Sequence, residues 1–447
     1  MALRSRVLAA IQSLYSSPSP ATGYMFGSGF GSFSGRVGAL GFDNIPLLPT
    51  GIPGAGASDP DVWQAGGEQV GNYSGSNLLR QLYRVQSADW SFNIPRQNVS
   101  QFGQFAPIEQ IILSAPTVSL NFSYLLANLY NEASGLGFTV TSTGNVTTAP
   151  VSAISGILTK VSDEKNYFLK VSREGIDSVN DAETNLPDIQ TFGIGNGFLS
   201  SYSVNLAVGQ LPTVTVGVDA LNIAVANGIT GQSPAVNPSN GVRSSRRFRI
   251  PTATESAGAG INDYDISALR PGDVVLSIAK RTAAATENYA ALGYDVFGAD
   301  VSGAATTNII TNARVQNCNL SFNLSRTSIE KLGSKFAVSK EIQFPVEINA
   351  SMDVIATDFI SGDLSSLIDC DRQYDLHIDL KRPSTCGSSS QPIVAKYILK
   401  GAKLESENSR LTIDGNQTIA LAFKTQIGGP NQTSIGLFLS GSCVETL

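Results

Sequence analysis

Histidine is almost missing from this chain of 447 residues: there is one, His377. A histidine-based general base would have to be that residue. It lies in YDLHIDL, where Tyr374, Leu376, Ile378 and Leu380 alternate with Asp375, His377 and Asp379. A polar strand face is the simpler reading of that pattern. Cysteine is also scarce. The four (Cys318, Cys370, Cys386 and Cys443) contain no CxxC pair, which leaves no zinc-ligand set beside a lone histidine. Cys370 and Cys386 flank a strand-like segment and form a candidate disulfide in an oxidising medium, with free buried thiols as the alternative. Motifs of the GxxxxGK[ST], HExxH and GxSxG types are lacking. The glycine cluster from Gly27 to Gly35 follows no clear strand and reads as a flexible loop. The expectation is a protein that is not an enzyme, with no metal and no cofactor.

Charge is low as well. Only 15% of residues are charged, and the net charge is −6 with a pI near 5.0. A protein that grips nucleic acid needs a basic footprint, so that class is disfavoured. The one basic cluster, SSRRFR, supplies Arg246, Arg247 and Arg249 as candidate contacts to an acidic patch on a neighbouring subunit. No apolar run reaches the length of a membrane span. In MALRSRVLAAIQSLYSS the apolar core is short for a secretion signal, and Leu3, Val7, Ile11 and Leu14 predict a terminal amphipathic helix. N-x-[ST] sequons such as Asn98 and Asn349 therefore reflect composition rather than glycosylation.

What the chain has is glycine (43 residues), hydroxyls and amides, with 42% hydrophobic residues. That mixture favours turn-rich β structure, with much of its surface buried against other chains. It also has a repeat. RVQSADWSFNIPR, from Arg84 to Arg96, returns as RVQNCNLSFNLSR, from Arg314 to Arg326. The match continues: Gly103 answers Gly333, Phe105-Ala106 answers Phe336-Ala337, Pro116 answers Pro345 and Asn121 answers Asn349. NYFLKVSR, from Asn166, faces QYDLHIDLKR, from Gln373, and the segments from Phe192 and Tyr397 close the series. Five blocks in one order describe a duplication.

Each unit reads as β. Val85, Ser87, Asp89 and Ser91 alternate with Gln86, Ala88, Trp90 and Phe92, a strand of period two. SYLLANLYNEASGLG switches to a helical face of Leu125, Leu126, Leu129 and Tyr130, ended by Gly135 or Gly137. DFISGDLSSLID is its shorter counterpart. The expected fold is mainly β, a β-sandwich or half-barrel with a flanking α-helix, in two tandem units. Units 81–227 and 309–447 follow an N-terminal arm, 1–80, and an insert, 228–308, that holds a strand in LRPGDVVLSIAKR.

The SFNxxR strand, the lobe ending in LGS, the proline-led strand and the late pair AKLESENSRLTIDGNQTIALAF resemble the tail-tube (major tail) proteins of long-tailed bacteriophages. The resemblance covers both units and leaves the arm and the insert aside. It implies a sandwich whose inner strands join those of neighbours into one β-barrel lumen, with rings stacked into a tube for DNA ejection. Such a virion protein is assembled in the host cytoplasm. The resemblance also implies tape-measure, baseplate or tip, and terminator proteins as partners, and a sheath if the tail contracts. Double-stranded DNA would pass without sequence-specific binding. Most family members carry one fold per chain, so two folds suggest a trimeric, pseudo-hexameric ring, with a hexamer as the alternative. Asp375 and Asp379 are the lumen-facing candidates. The rival readings are a secreted or capsid-associated adhesin or decoration protein, and a carbohydrate-active enzyme, for which Trp63 and Trp90 give thin support.

Overall fold

Alternation of apolar with hydroxyl or amide side chains builds most of this chain, because each strand must bury one face and leave the other wet. The structure is a computed structural model. It describes residues 8–18, 62–63, 80–141, 151–159, 163–173, 190–227, 230–232, 234–236, 247–249, 268–280, 309–310, 315–355, 373–382, 393–410 and 418–441.

In chain order the strands begin with β1 (Leu8–Pro18), β2 (Val62–Trp63), β3 (Arg80–Leu82), β4 (Val85–Asn93), β5 (Arg96–Val99), β6 (Glu109–Ile112), β7 (Thr117–Leu125) and β8 (Val140–Thr141). Next are β9 (Glu164–Arg173), β10 (Gln190–Ala207), β11 (Thr213–Ala220), β12 (Asn222–Asn227), β13 (Thr230–Gln232) and β14 (Arg247–Arg249). The second half holds β15 (Val274–Lys280), β16 (Ile309–Ile310), β17 (Val315–Asn323), β18 (Arg326–Ile329), β19 (Ser339–Ile342), β20 (Glu347–Ile355), β21 (Tyr374–Lys381), β22 (Ile393–Arg410), β23 (Thr418–Gln426) and β24 (Gly436–Gly441).

One antiparallel sheet runs through both units in the order β4-β7-β11-β10-β17-β20-β23-β22. Val118, Leu120, Phe122 and Tyr124 of β7, with Tyr202, Val204 and Leu206 of β10, are buried on its inner face. The outer face carries Ser119, Asn121, Ser123, Ser201, Ser203, Asn205, Asn319 and Ser321 at the alternate positions. Hydroxyls meet across it: Ser87 with Ser123 and Ser91 with Ser119, both at 2.7 Å.

The strands β10 and β22, each 18 residues long, leave this sheet partway and enter a second layer. There the first half of β10 pairs with β9 and β12, and the first half of β22 with β21 and β24. The two halves use one register. β4 on β7 and β17 on β20 coincide at a spacing of 230 residues, including a shift between Val85 and Ser87 and between Val315 and Asn317. β10 on β11 and β22 on β23 coincide at a spacing of 205, with bulges after Leu199 and Leu404.

Two expectations change, while the strand expected in LRPGDVVLSIAKR is found as β15. The amphipathic helix read over the N-terminus is the strand β1 over Leu8–Pro18, paired antiparallel with β9. Its backbone is satisfied by a sheet edge, and tertiary pairing outweighs the helical spacing of its apolar residues. Likewise β15 pairs antiparallel with β21, and β3 and β16 extend β1 and β15. Thus the arm and the insert contribute strands at corresponding places. The flanking helix is a single wide turn, Asn131–Leu136, ended by Gly137 at φ 85°. Leu126, Leu129 and Leu136 around it are buried from several sides, so burial rather than an amphipathic face dictates their spacing. The counterpart DFISGDLSSLID lies outside the described residues.

Candidate assembly interface

The two units meet strand to strand. Ser201 to Ala207 of β10 pair with Asn323 to Asn317 of β17, Tyr202 opposite Phe322 and Val204 opposite Leu320. Tyr202 and Phe322 stack at 5.6 Å, and Phe138 meets both edge-on, at 5.0 and 6.1 Å. Chain from the first unit also crosses onto the second: β8 runs parallel to β24, and the Ala153 amide donates to the Leu437 carbonyl at 2.8 Å.

Beyond β17 the hairpin β18–β19 folds over the first unit. Arg326 anchors it. The guanidinium forks onto Asp163, Nη2 to Oδ1 at 2.6 Å and Nη1 to Oδ2 at 3.1 Å. It also donates to the carbonyls of Leu199 and Lys340, both at 3.1 Å, and lies 5.1 Å over the Phe198 ring. Both charged side chains are almost sealed from water, at 1% and 8% exposure. Ala337 packs with Phe198, Leu221 and Val236.

Under the junction lies Glu132, fully buried. Tyr124 donates to its Oε1 at 2.6 Å and Tyr202 at 3.0 Å, while Tyr397 of the second unit stands at 3.4 Å. Oε2 has no hydrogen-bond partner among the described residues. Burial pushes the carboxyl pKa up, with the tyrosine hydroxyls pulling it partly back. The three phenols are themselves raised well above 10.0, first by burial. The four side chains staple the two units together, and their burial leaves no access for a substrate.

A carboxyl whose folded pKa is raised contributes fully below its unfolded value, here 4.5, and that contribution is lost as pH rises through the folded value. Glu132→Gln, uncharged at every pH, should remove this slope. Urea midpoints at pH 5 and pH 8 should fall closer together in the variant than in the native chain.

The same sheet ends in two open edges. Among the described residues, β4 pairs only with β7, and Lys403 to Arg410 of β22 pair only with β23. The open strand β4 carries side chains of the buried kind. Phe92 is 63% exposed, yet Phe322 at the corresponding place in β17 is 1% exposed. Its hairpin, β5–β6, stands free with Phe102, Phe105, Ile108 and Ile112 exposed. Exposed apolar side chains in that density mark an interaction surface.

The candidate residues read from the sequence fall elsewhere. Asp375 and Asp379 lie on β21 in the second layer, away from the broad polar face. Asp375 accepts the Gly401 amide at 2.9 Å, and Asp379 sits 3.1 Å from the Lys396 ammonium. Period-two alternation tells which residues share a face but not which sheet the strand joins. His377, between them, is half-buried, and burial, with Lys396 adding to it, lowers its pKa. Arg247 and Arg249 belong to β14, which pairs with β13 and β2; Arg246 lies outside the described residues, as do Cys370, Cys386 and Cys443. Cys318 is a free buried thiol, pushed up to about 12 by burial, in keeping with an inert packing role. The features missed were Phe92, Glu132 and Arg326. The last had a signal, since an arginine closes the echoed line in both copies.

No protein-family model matches the chain, and no curated protein matches it. Solved structures do. A chain of the anti-feeding prophage (AFP) baseplate, seen by cryo-electron microscopy, is similar at 9% identity and a TM-score of 0.23, over 38% of this chain and 92% of that one. The crystal structure of Hcp protein is similar at 8% identity and a TM-score of 0.18, over 38% of this chain and 98% of that one.

Proposed function

We propose that this protein is a structural subunit that closes edge to edge into rings of three chains, and that the rings stack into the tube of a long virion tail. The observation that carries this reading is the repeated register: the open edges β22 and β4 present the same strand positions as β10 and β17, which are already joined inside the chain. Carrying the 205- and 230-residue spacings over, β22 of one chain meets β4 of the next with Asn408 opposite Ser91 and Glu407 opposite Phe92. Arg410 then falls opposite Asp89, an opposite-charge pair directly across the strands, which favours that register.

Closure would remove both exposed edges at once. Three chains of eight strands make a barrel of about twenty-four, wider than those of about 16–18 that already enclose an aqueous channel. The face turned inward would be the serine, threonine and asparagine face, which with a net charge of −6 offers DNA phosphates little to hold. The lumen role first given to Asp375 and Asp379 passes to that face. In this reading the duplicated units stand as near-equivalents around a pseudo-sixfold ring. The protein is not an enzyme, and double-stranded DNA transits it during ejection. Its partners are copies of itself and the tape-measure, baseplate or tip, and terminator proteins of a tail assembled in the host cytoplasm.

Cysteines at positions 91 and 408 test the edge. Replacing Ser91 and Asn408 together, with Cys370, Cys386 and Cys443 changed to Ser, should give an oxidised ladder on denaturing gels that stops at three chains. Directly opposed residues have Cα spacings suited to a disulfide. A ladder that stops at six would overturn the three-chain count. Monomers alone, under conditions where rings are seen by negative stain, would overturn the edge itself.

A further inference from the structure

We infer that a groove on the second unit, around Leu404, Lys424 and Ile435, seats the β5–β6 hairpin of a second copy, and that its charges exclude the chain's other hairpin. The inference rests on the edge-paired ring and adds to it a rule for which unit may follow which.

The pattern is set inside the chain. The β18–β19 hairpin occupies a seat on the first unit built from Phe198, Leu199, Ser200, Asp219 and Leu221. Arg326 donates to the Leu199 carbonyl, the Leu324 amide donates to the Ser200 carbonyl at 2.7 Å, and Ala337 packs with Phe198 and Leu221. Burial lowers the pKa of Lys340, and the charge of Asp219 pulls it partly back. At the corresponding register positions the second unit has Lys403, Leu404, Glu405, Lys424 and Ile435. These residues line an open groove of about 540 Å³. The first unit's seat is filled; among the described residues this one is open.

The hairpin that matches it is β5–β6. It has the same register as β18–β19, Arg96 opposite Ile112 as Arg326 is opposite Ile342. Both tips turn on a left-handed glycine, Gly103 at φ 90° and Gly333 at φ 83°. The tip of β5–β6 offers Phe102 and Phe105 fully exposed.

Charge separates the two hairpins. Residues 326–342 carry Arg326, Lys331, Lys335 and Lys340 against Glu330 and Glu341, a net +2, while residues 96–112 carry Arg96 against Glu109 and are neutral. The seats differ in the same sense. Asp219, which supports Lys340, becomes Lys424, held by Glu347 at 2.8 Å and standing 3.7 Å from Glu405. Lys340 itself becomes Gln110. A β18–β19 hairpin in the open groove would set lysine against lysine. The neutral hairpin brings Gln110 there, and Arg96 near Glu405. Repulsion against the wrong partner, joined to attraction for the right one, is how specific interfaces discriminate.

The test mixes two chains, Ala106→Cys and Ile435→Cys, each in the background with Cys370, Cys386 and Cys443 changed to Ser and with Cys318 left buried in the core. The positions corresponding to 106 and 435 are Phe336 and Leu221, which share one apolar cluster. The mixture should give a disulfide-linked pair of chains that neither variant gives alone. Adding Gln110→Lys should reduce its yield at least tenfold, and Lys424→Asp in the partner should restore it. If the 91–408 pair cross-links and the 106–435 pair does not, the edge stands and the hairpin seat is wrong. If neither cross-links, both readings fall. An unchanged yield with Gln110→Lys would overturn the charge rule.

Discussion

Phe92→Asp should leave a folded chain that no longer forms rings. In the single chain Phe92 is 63% exposed, so its loss removes little packing. In the ring it would take the place that Phe322 holds at the internal junction, sealed to 1% exposure against Tyr202. A carboxylate there would lose the burial of an aromatic side chain, about 2–3 kcal/mol. It would also stand opposite Glu407, a like-charge pair across an antiparallel ladder. Desolvating an unpaired charge adds several kcal/mol more, and the cost recurs at each joint between chains. Sedimentation velocity should show monomer at concentrations where the native chain is assembled, and the urea midpoints should coincide once both chains are diluted to monomer. A variant that assembles like the native chain would show that this edge is not the joint.

Arg326→Ala acts on the junction already made, and the expected loss is in stability. It takes the guanidinium from Asp163, 8% exposed, and removes the donors to the Leu199 and Lys340 carbonyls. Breaking a buried pair by deleting one partner costs about 3–5 kcal/mol. The urea midpoint should fall accordingly, and amide exchange in β18–β19 should rise. Arg326→Lys should recover little, because an ammonium cannot reproduce the fork onto Asp163 while still reaching two carbonyls. If Arg326→Lys matches the native chain, the bond serves only as a point charge.

The strands of both units could be read from alternation. β4, β7, β17 and β20 lie where period-two patterns put them, because each buries one face on a shared core and wets the other. Correspondence between the units was legible in order but not in detail. Matching Phe105-Ala106 to Phe336-Ala337 requires a gap, whereas the hairpins are equal in length, so Ala106 answers Phe336 and Pro107 answers Ala337. In the same way Asn121 answers Ser351, not Asn349. Backbone pairing fixes register, and local letter matches do not. What could not be read at all was the joining of β10 to β17 and the gathering of Glu132 under Tyr202 and Tyr397. The first depends on residues such as Ser203 and Asn319, 116 apart in sequence, and the second on contacts 195 and 265 apart, to which no local pattern points. β1 was misread for the same reason, since its partner β9 lies far along the chain.

The internal pairing of β10 with β17 bears on how fast rings appear. A joint between two segments of one chain forms at a fixed effective concentration, whatever the dilution. In a three-chain ring, half of the six joints would be of this kind, complete before any two molecules meet. The first closed ring would then depend on about the third power of protein concentration, where six single-unit chains would need about the sixth. Writing two units into one polypeptide would let such rings nucleate from dilute protein and sharpen the boundary between dispersed chains and growing tube.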